Sequence, residues 1–214
     1  MFTPVRKDVW RWGTPDPEGN WIMYGHMILR EGKCVLVDPP LVPGLIEYVQ
    51  RIGKLEAVVL TTLDHTRGVN YICERTGAMP FIPDQPADAV DPYALAILKQ
   101  LKDYQTYGEK KDILGMKPFR IVVEGKEGIQ PKIEEFALLT ENRELIVGDI
   151  AIGTEVRRVV IAPEWYPYLP PRKPYASAIR EFSNVVRNSQ ADVLLASHGM
   201  DIYGGLQELV PHVQ

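Results

Sequence analysis

The chain has 214 residues, 45% hydrophobic and 24% charged, with a formal net charge of −4. That length and composition suit an ordinary globular protein with one well-buried domain spanning residues 1–214. The acidic balance argues against nucleic acid as the main partner, because such proteins carry a basic surplus. Short basic pairs such as Arg157-Arg158 and Lys110-Lys111 read as solvated surface.

The first twenty residues, "MFTPVRKDVWRWGTPDPEGN", lack the apolar core of a secretory signal. "WIMYGHMILREGKCVLVDPP" predicts two strands joined by the turn "EGK", the second stopped by a Pro pair. "LVPGLIEYVQRIGK" places Leu45, Val49 and Ile52 at helical spacing, with Gly53 as the stop. "EAVVLT" reads as a short strand buried on both faces. A loop, "TLDHTR", leads into a helix marked by Val69, Ile72 and Cys73, closed by "TGA" before the strand "MPFI". Ala94, Ile97, Leu98 and Leu101 then mark one face of a further helix. The second half begins with strands "FRIVVEG", "EEFALLT", "ELIVGDI" and "RRVVIAPEW". A loop rich in proline and aromatics, "PEWYPYLPPRKPY", precedes a helix with Ile179, Phe182 and Val186, the strand "DVLLAS" and a short terminal helix. The alternation of strands and helices is that of an α/β protein. No apolar run reaches the length of a membrane span. Two cysteines, Cys34 and Cys73, sit at apolar positions and set no disulfide framework, which fits a reducing, cytoplasmic location.

Three apolar strands end in side chains able to bind a metal ion. "AVVLT" leads into Asp64-His65, "ELIVG" into Asp149, and "DVLLAS" into His198. Sites in layered α/β proteins form at the carboxyl ends of strands. Each residue also has a plainer reading. Asp64 suits a helix N-cap, Asp149 a Gly-Asp turn, and His198 a hydrogen-bonded core histidine. Together, two histidines and two aspartates form a coherent set of nitrogen and oxygen donors for a divalent ion. Of the four histidines, the other two are His26, inside a strand pattern, and His212, near the C-terminus.

The order of elements and the phrases "CVLVD", "VVLTTLDHTRGVNYICERTGA", "FALLTENRELIVGDI" and "DVLLASHG" resemble the metallo-β-lactamase-fold superfamily, over roughly residues 20 to 200. The resemblance implies a four-layer αββα sandwich of two mixed sheets with outer helices. The superfamily's signature is a strand ending in T-H-x-H-x-D-H, followed by a helix start containing glycine. Matched from the helix side, Asp64 and His65 stand for the final D-H and the earlier H-x-H pair is missing. Matched without a gap from Thr61, Thr62 and Asp64 would replace the two histidines instead. The first match is preferred, because "DHTRGVNYICERTGA" follows the family's helix almost position by position. Asp149 matches the aspartate that bridges two metals and His198 the last histidine ligand. The mid-chain histidine is absent, with Pro131 and Lys132 nearby.

The resemblance thus implies one divalent ion held by Asp64, His65, Asp149 and His198, with zinc first and iron or manganese also compatible. Four protein ligands would fill a tetrahedral zinc, so either the coordination expands or one aspartate, with Asp64 the candidate, stays beside the ion as catalytic base or orienter. Arg67 is a candidate holder of a substrate carboxylate or phosphate, or else a surface arginine paired with an acid. Trp165, Tyr166, Tyr168 and Tyr175 are candidates for a substrate wall, with a sheet-edge cover or a homodimer contact as the alternatives. The function implied is a metal-dependent hydrolase of a small ester, thioester or lactone. A non-catalytic binding or interaction protein with a decayed site is the competing reading.

Overall fold

The N-terminal stretch forms a hairpin that the sequence pattern does not announce: β1 (Thr3–Arg6) and β2 (Val9–Pro15), antiparallel across Lys7-Asp8. The computed structural model describes residues 2–17, 19, 21–86, 90–124, 132–166, 173 and 175–210. Pro131, Tyr168 and His212 lie outside them. The chain divides into two compact units, Met1–Asp16 with Ile22–Tyr107, and Pro17–Trp21 with Gly108–Gln214.

In the first unit, the apolar runs flanking Glu31-Gly32 pair as β3 (Ile22–Arg30) and β4 (Lys33–Val37). Helix α1 (Leu45–Ile52) buries Leu45 and Val49, one turn apart, and stops at Gly53 as expected. Strand β5 (Lys54–Val59) follows, then α2 (Val69–Thr76), which buries Val69 and Ile72. Gly77 ends α2 at φ 71°, a left-handed conformation that glycine adopts without steric cost. Strand β6 (Met79–Pro83), helix α3 (Pro92–Leu98) and strand β7 (Gln105–Tyr107) complete the unit. Asp91 caps α3 and Pro92 fills its first position, where a missing N–H costs nothing. The helix ends before Leu101, because Gln100 and Leu101 bond back three residues and tighten the last turn. Leu101 still packs against the core. The sheet order is β1-β2-β3-β4-β5-β6-β7, antiparallel up to β4 and parallel from β4 onward. Its core gathers Trp12, Met27, Leu36, Val58, Leu60 and Ile72, each worth about 1.5–3 kcal/mol of burial.

The second unit contains β8 (Lys117–Val123), β9 (Ile133–Leu139), β10 (Glu144–Val147), β11 (Ala151–Gly153), β12 (Val159–Ile161), α4 (Ala176–Ser189), β13 (Val193–Ala196), β14 (Ile202–Tyr203) and α5 (Leu206–Leu209). One sheet runs β14-β13-β10-β9-β8, and β11 and β12 form a separate hairpin. Within the larger sheet only β10 and β13 are parallel. That pairing positions the site, because Val147 lies opposite Ala196 and both strands then end together. Helix α4 buries Ala178, Phe182 and Val186 in the core of this unit. No helix among the described residues is long and apolar enough to cross a membrane.

Candidate metal centre

Asp149 and His198 each follow the last paired residue of their strands by two positions. The parallel register therefore brings them together, and the Ser197 N–H donating to Val147 O extends the ladder one step further. His198 Nε2 lies 3.3 Å from Asp149 Oδ1. Two donors each about 2.0–2.2 Å from one tetrahedral ion lie roughly 3.3–3.6 Å apart, so this separation is the one a shared metal requires. His198 is buried and Asp149 partly exposed.

The turn that carries His198 leaves little freedom. Gly199 sits at φ 63°, and a Cβ there would come within 2.8 Å of Ile152 Cβ, so glycine is required on both counts. Asp201 accepts the Ala196 N–H at 3.1 Å and the Tyr203 hydroxyl at 2.8 Å, which ties the turn to β13 and β14. Trp165 stacks on the His198 ring with centroids 5.3 Å apart, and Trp21 meets that ring edge-on at 5.7 Å. The Trp165 indole N–H donates to Asp149 O at 3.0 Å, and Tyr166 packs edge-on against Trp165 at 4.8 Å. Trp165 and Tyr166, singled out from the sequence, thus stand beside the Asp149–His198 pair. Trp21, which opens the stretch expected to form two strands, was not singled out as a site residue from the sequence.

The first unit contributes a second polar assembly. Asp38, at the end of β4, is fully buried and holds φ 47°, a conformation aspartate tolerates better than most residues. Its carboxylate accepts the Thr61 N–H at 2.8 Å, the Thr61 hydroxyl at 2.6 Å and His65 Nδ1–H at 2.8 Å. Burial pushes the Asp38 carboxyl up, but the His65 ring, the Arg67 guanidinium and the Thr61 hydroxyl outweigh it and hold it down at about 2. Asp38 is therefore an acceptor only, so His65 donates to it from Nδ1, and in the neutral ring the lone pair lies on Nε2. A carboxylate behind a histidine in this way fixes the tautomer and orientation of a metal-ligating imidazole. Asp38, present in the sequence only as the last residue of "CVLVD", was not singled out as a site residue.

Asp64, expected as a ligand or base, holds a backbone amide. It is exposed, and its carboxylate accepts the Asp91 N–H at 2.9 Å, tying the loop after β5 to the start of α3. Arg67, at φ 32°, donates Nη1 to the carbonyls of Tyr24 and Asp38, both at 2.8 Å. Lys132 pairs with Glu134 at 2.9 Å.

No protein-family model matches the sequence, and no curated protein is significantly similar to it. Solved structures do match. A DIM-1 metallo-β-lactamase exposed to ceftazidime superposes with a TM-score of 0.67 at 14% identity, covering 98% of this chain and 92% of that one. The BLEG-1 B3 metallo-β-lactamase gives a TM-score of 0.63 at 16% identity, covering 92% and 95%. A metallo-β-lactamase from Pontibacter korlensis gives 0.61 at 14% identity, covering 98% and 94%. The chain has the metallo-β-lactamase fold. The αββα architecture expected from the sequence is that of this fold, and identities this low speak for the fold alone.

Proposed function

We propose that the protein is a metal-dependent hydrolase that holds one divalent ion through His65, Asp149 and His198. The observation that carries this reading is the 3.3 Å separation of His198 Nε2 from Asp149 Oδ1 at the ends of two strands in register. His65 supports it, because Asp38 directs the lone pair to Nε2. All three residues are of the kinds that hold such an ion. Asp64 is left out of the set, so three protein donors leave a position for water or substrate, as in catalytic zinc sites. A divalent ion in such a site polarises a carbonyl and brings the pKa of a bound water towards about 7.

The chain's own residues then have separate roles. Asp38 holds the His65 ring, Asp201 and Gly199 hold the His198 turn, and Trp165 covers the His198 face. Trp165 and Tyr166 offer rigid apolar surface for the acyl part of a small ester, thioester or lactone. Zinc suits the donor set best, and iron and manganese remain compatible with it.

The test is metal analysis of the purified protein after dialysis against zinc, beside the double variant Asp149→Ala/His198→Ala. About one equivalent in the wild type, lost in the variant, is expected. It would be followed by hydrolysis assays on an ester, a thioester, a lactone and a β-lactam. Absence of bound metal in the wild type would overturn the reading. The competing reading, a non-catalytic binding protein on this fold, draws on the three histidines of the superfamily's signature that this sequence lacks, the H-x-H pair and the mid-chain histidine. It predicts no turnover of any of these substrates.

A further inference from the structure

Strand β9 contains a residue that its surroundings do not ask for. Ile133, Glu135 and Ala137 share one face of the strand, and Ile133 and Ala137 belong to the core of the second unit. Glu135 stands between them, 1% exposed. A carboxylate in that row is costly unless its oxygens are fully used. They are: Oε1 accepts the Gly148 N–H at 3.1 Å, and Oε2 accepts those of Asp149 at 2.5 Å and Ile150 at 3.0 Å. Three successive amides converging on one anion make a nest of the kind that binds phosphate or carboxylate ligands, here filled by the protein's own side chain. The middle amide belongs to Asp149.

We propose that Glu135 is a positioning residue of the metal centre. By clamping residues 148–150 it fixes the backbone from which the Asp149 carboxylate reaches toward His198. The inference rests on the metal-binding reading above and adds a residue that the strand-end pattern did not reveal. Glu134 provides an internal control. It is the neighbouring residue, it is also buried, and it points the other way, to Arg120 and Lys132. A merely structural glutamate would cost fold stability when changed but would leave the folded protein's metal affinity alone. A positioning glutamate changes that affinity and the ligand geometry.

The experiment is a titration of metal-free protein with Co²⁺, followed by its visible absorption, for wild type, Glu135→Gln, Glu134→Gln and Asp149→Ala. Circular dichroism confirms that each is folded at the titration temperature. Glutamine keeps the shape but leaves one oxygen for three amides. The expected result is a Co²⁺ affinity about 10- to 100-fold weaker in Glu135→Gln, the range typical of lost outer partners of a metal ligand. Its spectrum should also shift towards that of Asp149→Ala, while Glu134→Gln keeps the wild-type affinity and spectrum. Wild-type affinity and spectrum in Glu135→Gln would overturn the inference, as would equal weakening in both glutamine variants, which would mark a general effect of charge. If wild type itself takes up no Co²⁺, the metal-binding reading fails first, and the inference with it. If Glu135→Gln does not fold, Glu135→Asp takes its place, retaining the charge while withdrawing the oxygens by one methylene; wild-type behaviour there would likewise overturn the inference.

Discussion

Replacing Asp38 with asparagine changes almost no volume but alters every contact that the buried carboxylate makes. One oxygen can still accept the Thr61 N–H. The new NH₂ faces the Thr61 hydroxyl, which can rotate to accept, and His65 Nδ1, which must give up its proton to do so. Two charge-assisted hydrogen bonds become neutral ones, at about 1 kcal/mol each, so the fold should lose about 2 kcal/mol. For a chain of this size that corresponds to a fall in Tm of about 4–8 °C. Asp38→Ala, which strands the buried donors, should cost about 3–5 kcal/mol. The asparagine variant should also move the His65 proton to Nε2 and weaken metal binding about 10- to 100-fold. Acid behaviour adds a check on sign. A carboxyl held at about 2 in the fold stabilises it fully above the ordinary value of 3.8 and loses that contribution as pH falls towards about 2. The gap between wild type and Asp38→Asn should therefore close across that window. Urea denaturation against pH measures the stability, and ¹⁵N chemical shifts of the histidine ring identify the tautomer. An unchanged His65 tautomer with Tm within 1 °C of wild type, about 0.3 kcal/mol, would refute the reasoning.

Trp165→Phe keeps an aromatic ring beside His198 and removes the indole N–H bond to Asp149 O, so it should cost about 1 kcal/mol, read as a Tm about 2–4 °C lower. Asp64→Ala should lose about 0.5–1 kcal/mol through the freed Asp91 N–H while leaving metal affinity intact; a tenfold weaker affinity would return Asp64 to the ligand set. Burial pushes the Cys73 thiol up to about 12 and the Cys34 thiol upward as well. Neither should react quickly with a thiol reagent at about pH 8 in the native protein, whereas both should after unfolding.

The elements that the sequence announced are those whose signal is local. The runs that became β4, β5, β10 and β13 are apolar and end abruptly, and α1 and α2 show helical spacing closed by glycine. The β1–β2 hairpin was missed because Pro4, Arg6, Lys7, Asp8 and Arg11 interrupt any alternation. Its buried Val9 and Trp12 are three residues apart, which is not a strand period. Strand β7, at three residues, is too short to show a pattern at all. The candidate ligands divide in the same way. Asp149 and His198 were legible because strand ends are informative. Asp38 and Glu135 were not, since the partners that give them meaning lie 27 and 13–15 residues away. Asp64 shows the limit from the other side. A carboxylate between a strand and a helix suits a metal ligand and a backbone acceptor equally, and only the fold reveals the Asp91 N–H it accepts.

Removing Asp64 from the ligand set changes the chemistry that the proposed site can support. Two carboxylates and two neutral imidazoles would neutralise a divalent ion and fill a tetrahedron, which suits a structural metal better than a catalytic one. One carboxylate with two imidazoles leaves a net charge of +1 and an open position, and both favour polarising a carbonyl or acidifying a water. The surroundings act in the same direction. The rings of Trp21 and Trp165 flank His198 and displace water from it, and charges interact more strongly where water is excluded. Each half of the donor set also has a buried carboxylate that binds no metal itself, Asp38 on the His65 ring and Glu135 on the Asp149 backbone. A decayed site would keep these two buried anions for the backbone they hold, because breaking a buried polar network is itself costly, whereas a working centre needs them also to orient its ligands. Asp38→Asn and Glu135→Gln, read by the metal affinity of the folded variants and not by stability alone, are therefore the two substitutions that separate the readings.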